Sequence, residues 1–351
     1  MRSKIIGSGR SHSMNSISNL DFKDHKFFDD QGNELTDTLK VIDKLNQITG
    51  IKERQYAKKE IVASDLAFEA AQSAIENAGI DPESIDYIVV ANNYGDIPYG
   101  SNQPDMVPSL ASRVKHLLGI KNSKCIAYDI IFGCAGWIEA WIHSDAFIRA
   151  GLAKRCLVIG ADTLSRIVDH ADRDSMIFAD GAGAIVLDVT IEDSGFISSI
   201  SATYANEEVD YIYFGKSNNP SLVQNERFIK MNGRKIYEFA IKEVPAAMKA
   251  CLEKSEIEIH ELKKVFIHQA NEKMDYAILE RFYKLYNQSL PEGVMPMNID
   301  KYGNSSVATI PTLLDLVKRG EIEGQTISEG DVILFASVGA GMSINAIAYR
   351  V

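Results

Sequence analysis

Cysteine is scarce in this chain: four among 351 residues, at positions 125, 134, 156 and 251. They form no CxxC pair and no disulfide-framework spacing, which excludes a disulfide-stapled secreted domain and suits a reducing cytosol. The seven histidines lack zinc-like spacing, so no metal site is expected. Long apolar runs are missing as well. Met1-Arg-Ser-Lys-Ile-Ile-Gly-Ser-Gly9 holds too short an apolar stretch for a signal peptide, and no later segment is long enough to span a bilayer. Positive charge is in the minority, 37 Lys and Arg against 48 Asp and Glu for a net −11, which argues against a nucleic-acid-binding surface. What remains is 46% hydrophobic, ample for a large buried core, and the length allows two domains.

One short stretch carries more information than the rest. In Asp129-Ile-Ile-Phe-Gly-Cys-Ala-Gly-Trp137, the apolar run Cys125 to Phe132 predicts a buried strand and Gly133 a sharp turn. Ala135 to Ala150 predicts a helix closing at Gly151. Cys134 is therefore placed at a strand-to-helix turn, where backbone N–H groups and the helix dipole favour a thiolate, the form that attacks acyl groups. Taken alone, a cysteine is more often a small buried apolar residue. Two other segments change that balance. In Val265-Phe-Ile-His-Gln-Ala-Asn271 an apolar strand ends in His268, and in Asn298-Ile-Asp-Lys-Tyr-Gly-Asn-Ser-Ser306 a Gly-Asn turn presents Asn304 just before a helix. Cys, His and Asn at three such turns make a nucleophile with two polar partners.

At this point the chain resembles a known family. Gly133-Cys-Ala-Gly136, His268-Gln-Ala-Asn271 and Tyr302-Gly-Asn-Ser-Ser306 are similar to the three active-site motifs of 3-oxoacyl-acyl-carrier-protein synthase III, a thiolase-like condensing enzyme. Thr49-Gly-Ile-Lys-Glu-Arg54, Ala179-Asp-Gly-Ala-Gly-Ala184 and Gly339-Ala-Gly341 are further marks in the same order, spread over almost the whole chain. The resemblance implies an acyltransferase. Cys134 takes an acyl group from a CoA or carrier-protein thioester, with the backbone N–H groups of Cys134 and Ala340 as oxyanion donors. It then condenses that group with malonyl-acyl carrier protein after loss of carbon dioxide. His268 and Asn304 would hold the enolate oxygen. No metal or redox cofactor is required.

The sequence also repeats itself. Ala74–Ile80 followed by Ile85–Ala91 matches Cys251–Ile257 followed by Leu262–His268, each reading as helix, loop and buried strand. Gly181-Ala-Gly183 pairs with Gly339-Ala-Gly341, and Asp129…Cys134 with Asp300…Ser305. Two similar α/β halves are expected, residues 1–192 with the cysteine and 193–351 with the histidine and asparagine, and each catalytic residue should follow a strand. With the resemblance, this implies a duplicated five-layered thiolase-like fold, α-β-α-β-α. Ala205–Lys235 breaks the pattern with a turn-rich loop, after which Phe228 to Ala240 reads as the start of a helix. Tyr94–Pro108 is a second irregular stretch. In the family the equivalent loop lies at a homodimer interface and reaches toward the partner's acyl tunnel.

Departures from the family pattern point to a specialised member, from a dialkylresorcinol, polyketide or fatty-acid pathway. Lys44 and Ile48 stand where a tryptophan and an arginine are common, leaving Arg166 as the expected contact for CoA or phosphopantetheine. Val107 replaces a bulkier tunnel residue and would admit a longer, branched or unsaturated chain. Asn345 replaces part of a more glycine-rich loop. Lys273, Arg281 and Lys284 fall near one face of a helix predicted over Glu272–Tyr286, and by resemblance to the family form a docking patch for the acidic carrier protein; a merely solvated face is equally compatible with their spacing. Two other readings stay open. Cys134 could pass its acyl group to a non-malonyl nucleophile, or the chain could be the silent subunit of a heterodimer.

Overall fold

The computed structural model describes residues 1–222 and 225–351. In chain order the strands are β1 (Arg2–Arg10), β2 (Met14–Ser18), β3 (Glu53–Ala57), β4 (Tyr87–Ala91), β5 (Ile126–Ile130), β6 (Arg155–Thr163) and β7 (Asp180–Thr190). After them come β8 (Gly195–Thr203), β9 (Ile212–Gly215), β10 (Phe228–Met231), β11 (Leu262–Ile267), β12 (Val332–Gly339) and β13 (Ser343–Arg350). The helices are α1 (Thr38–Thr49), α2 (Ala63–Ala78), α3 (Leu110–Leu117), α4 (Gly136–Arg149), α5 (Gly233–Lys254), α6 (Glu272–Lys284), α7 (Ile299–Tyr302) and α8 (Thr309–Lys318).

Two mixed sheets form the frame. One runs β1-β7-β6-β4-β5, the other β8-β13-β12-β11. In the first, β4 pairs in parallel with β5 and β6, and β7 is antiparallel to both β6 and β1. The second repeats this: β11 and β12 are parallel, while β13 is antiparallel to β12 and β8. The second sheet stops one strand short. Where the first places β5 before its helix, the second places the single turn α7, so Asn304 follows a helix rather than the strand expected for it.

Helix composition fixes the layers. Trp137, Ile138, Ala140, Trp141, Ser144 and Ile148 bury one broad face of α4, and in α8 every residue from Thr309 to Val317 is buried. A helix buried all round, as α8 is, belongs between other layers, and α4 shares that layer. Their side chains meet Val158 and Ile185 of the first sheet and Phe266, Phe335 and Ile347 of the second in one core. The outer helices bury only one stripe. Helices α2 and α3 cover the free face of the first sheet through Leu66, Ala70, Leu110 and Val114. Helices α5 and α6 cover that of the second through Val244, Met248, Ile278 and Phe282. The order is α-β-α-β-α, the thiolase-like architecture.

Within Ala205–Lys235, Phe228–Met231 is a strand rather than the beginning of a helix, and it pairs antiparallel with β9. Lys230 braces this hairpin: its Nζ lies 2.6 Å from Asp169, 2.9 Å from Asp172 and 2.8 Å from the side-chain oxygen of Asn218. Among the described residues no helix is long and apolar enough to cross a membrane.

Candidate active site

The turn after β5 is shaped by space as much as by dihedral angle. Gly133 has φ +58°, and a Cβ there would stand 2.4 Å from the backbone nitrogen of Ala340. A Cβ on Gly339 would in turn stand 2.4 Å from the nitrogen of Cys134. Two glycines thus let two loops meet backbone to backbone, which brings Ala340 against Cys134. Side chains fasten the junction. Ser337 Oγ donates to the Cys134 carbonyl at 3.2 Å, and Asn345 Nδ2 to the Ala135 carbonyl at 2.9 Å. Asn345, which departs from the glycine-rich pattern, is therefore a tie between β13 and the cysteine turn.

Cys134 itself sits in a single 3-10 turn, Gly133–Ala135, that leads into α4. Its charge state differs from the expectation. Burial pushes the thiol up to about 11, a hydrogen bond from Ser306 opposes this only in part, and Asp162 adds to it. Desolvation of the anion works against the helix N-terminus and favours the thiol.

His268 follows β11 and is 3% exposed. Its backbone nitrogen donates to Ala336 at 3.0 Å, and Nδ1 shares a hydrogen with Thr309 Oγ1 across 2.7 Å. Burial pulls its pKa down to about 4, so the ring is neutral at physiological pH. Asn304 is held at both ends of its backbone, by Ile177 at 3.0 Å and Ala179 at 2.8 Å. Its Oδ1 accepts from the backbone N–H of Ser306 at 2.9 Å, which leaves Nδ2 as the outward donor.

Cys134, His268 and Asn304 line one cavity of about 790 Å³, together with Asn93, Ser306 and Ala340. Elsewhere its lining includes Lys44, Leu45, Ile48, Arg173 and Arg234, interleaved with Asp29, Asp30, Asp172, Asp174 and Asp210. A nucleophile beside a neutral imidazole and a carboxamide donor is suited to covalent acyl chemistry with stabilisation of a developing oxyanion.

The structure distributes the other expected residues differently. Arg166 does not reach the cavity. It is buried, and its Nη2 donates to the carbonyls of Ala57, Lys58 and Ile61 at 3.3, 3.0 and 3.3 Å, with Tyr99 packed over the guanidinium. Arg173, one loop later, lines the cavity instead, as does Arg234. Val107 lies outside its own chain's cavity, 85% exposed. Lys273, Arg281 and Lys284 are exposed on α6. The sequence reading missed Ser306, whose hydroxyl donates to Cys134 Sγ at 3.4 Å, together with Asn93 and Asp162 behind it. Ser306 lay inside a quoted motif; the other two stand at the ends of strands with no motif to mark them.

Residues 128–205 match the family 3-oxoacyl-[acyl-carrier-protein (ACP)] synthase III, and residues 252–351 match its C-terminal family. Beta-ketoacyl-[acyl-carrier-protein] synthase III of Prochlorococcus marinus is 35% identical over 306 residues, covering 85% of each chain. The protein of that name from a Synechococcus species is 34% identical over 355 residues, covering 99% of this chain and 95% of the relative. Among solved structures, 3-oxoacyl-[acyl-carrier-protein] synthase III from Aquifex aeolicus superposes with a TM-score of 0.81 at 30% identity, covering 99% of this chain and all of that one.

Proposed function

Because the chain belongs to the 3-oxoacyl-[acyl-carrier-protein] synthase III family of condensing enzymes, we propose that Cys134 is its nucleophile and that it condenses a Cys134-bound acyl group with malonyl-acyl carrier protein. The observation that carries this reading is the convergence of Cys134, His268 and Asn304 on one cavity. In the first half-reaction Sγ attacks a thioester, and the N–H groups of Cys134 and Ala340 receive the oxyanion. In the second, loss of carbon dioxide from malonyl leaves an enolate whose oxygen takes hydrogen bonds from His268 Nε2 and Asn304 Nδ2. The carbanion then attacks the acyl-cysteine. Intact-mass measurement with a panel of acyl-CoA and acyl-carrier-protein donors identifies the primer. Release of carbon dioxide from malonyl-carrier protein separates condensation from transfer to another nucleophile. A folded enzyme that no donor acylates would instead make the chain a silent subunit.

The cavity lining favours a specialised member whose acyl donor is carried on protein. Lys44 and Ile48 offer no aromatic platform for an adenine. Docking of the acidic carrier falls to Lys273, Arg281 and Lys284, since α6 begins directly after the His268 motif and its first turn lines the cavity through Met274. Lys273→Glu should raise the KM for malonyl-carrier protein severalfold, in a salt-dependent way, with little change in acylation by a small CoA donor. Carrier kinetics indifferent to charge reversal at both Lys273 and Arg281 would move the docking surface elsewhere.

We further propose a homodimer built on the edge of the first sheet. Among the described residues strand β5 has a neighbour on one side only, exposes Ile126 at 46%, and is followed by Ile131 at 59%. An unpaired apolar edge of this kind invites a partner strand, and twofold pairing of β5 with its copy would carry Val107 toward the second chain's cavity. Sedimentation should give twice the chain mass; an active monomer at micromolar concentration contradicts the arrangement.

A further inference from the structure

Among the described residues, three non-glycine residues have positive φ: Glu256, Asn287 and Ser306. The first two are exposed loop residues. Ser306 is 2% exposed with φ +55°, a backbone state that is costly for a residue with a Cβ and that persists where surrounding structure imposes it. Its consequence is visible in the side chain, which is aimed at Cys134 Sγ, 3.4 Å away.

The hydrogen bonds behind Ser306 have a direction. The Asp162 carboxylate, 2% exposed, can only accept while ionised. It takes the backbone N–H of Asn93 at 2.9 Å and one hydrogen of its Nδ2 at 2.8 Å. The second Nδ2 hydrogen goes to Ser306 Oγ at 3.1 Å. Ser306 is thus an acceptor from Asn93, and its single hydrogen is left for Cys134 or for Asp162, which it also reaches. A thiol draws that hydrogen weakly; a sulfur gaining negative charge draws it strongly, because hydrogen bonds to ionised groups are the stronger ones.

We propose that Ser306 is a further catalytic residue, donating its hydroxyl hydrogen to the sulfur of Cys134 as the thiolate forms, with Asn93 and Asp162 as its positioning residues. In acylation the Sγ–carbonyl carbon bond forms and the bond from that carbon to the donor's sulfur breaks. The proton of Cys134 ends on the departing thiolate, giving a free thiol. Ser306 shares its hydrogen throughout and gives up none. In condensation the same donor would meet the cysteine sulfur as it leaves. The need is evident from the burial of the thiol, which otherwise opposes its ionisation.

The assignment rests on Cys134 being the nucleophile, so its test uses no acyl donor. Iodoacetamide alkylation of Cys134, followed by peptide mass at a fixed pH well below the thiol's pKa, reports the thiolate fraction. In Ser306→Gly the backbone N–H that holds Asn304 remains, the positive φ is relieved, and access to Sγ widens. The alkylation rate should nevertheless fall roughly tenfold, the equivalent of about one pH unit in the thiol, while Tm holds or rises. Ser306→Ala should show the same fall, and Asn93→Ala a smaller one in the same direction. Alkylation of Ser306→Gly and Ser306→Ala within about twofold of the wild type would overturn the role, whether or not Cys134 accepts an acyl group.

Discussion

Cys134→Ala is expected to eliminate covalent acylation by every donor while leaving the protein folded. The side chain lines a cavity and its Sγ accepts one hydrogen bond, from Ser306, so truncation removes little packing. No other cysteine can stand in. Cys125 and Cys251 lie in the cores beneath the outer helices, and Cys156 in the core between the sheets. Intact mass after incubation with a donor that acylates the wild type reads the result directly. A surviving adduct at wild-type yield would remove Cys134 from the mechanism.

His268→Ala and Asn304→Ala should each slow malonyl decarboxylation by about a hundredfold to a thousandfold, roughly 3–4 kcal/mol of lost oxyanion stabilisation, and should slow acylation much less. The asymmetry follows from geometry. Asn304 is fixed by the Ser306 backbone so that Nδ2 is its free donor, and in the tautomer whose Nδ1 accepts the Thr309 hydroxyl hydrogen, His268 carries its proton on Nε2 as the free donor. The two donors therefore serve whatever oxygen lies in the cavity, and neither is bonded to the cysteine. Because the folded-state pKa of His268 is lowered to about 4, its protonation should contribute no loss of rate until the pH approaches that value. In the fold, keeping the ring neutral costs stability progressively as pH falls from the ordinary histidine range toward that pKa. Carbon dioxide release from malonyl-carrier protein, measured apart from acylation, distinguishes the roles. Normal decarboxylation with failed acylation in either variant would reverse them.

The parts of this molecule legible in its sequence are those whose cause is local. A cysteine between an apolar run and a helix, a histidine at the end of β11 and an asparagine after a glycine each declare themselves within a few residues. The duplicated layers follow from apolar strand runs and from the repeated helix, loop and strand units. The less legible parts depend on what lies across space. Arg166 and Arg173 sit on the same stretch between β6 and β7, and no pattern says which turns inward and which binds backbone carbonyls. The helix N-terminus behind Cys134 predicts a thiolate, but the burial that opposes it comes from walls contributed by β12, β13 and the Asn304 turn. Phe228–Met231 became a strand because β9 lies beside it, a contact that helical spacing in the following residues concealed.

Gly133 and Gly339 extend this lesson to heredity. Each position leaves no room for a Cβ because the other loop's backbone occupies that room, so neither site can drift alone. A side chain gained at one would have to be matched by retreat of the other loop, which would pull Ala340 away from the cysteine. The two glycines, far apart in the chain, constrain each other, and differences in primer preference are to be sought in walls that face the cavity rather than in the seam that closes it.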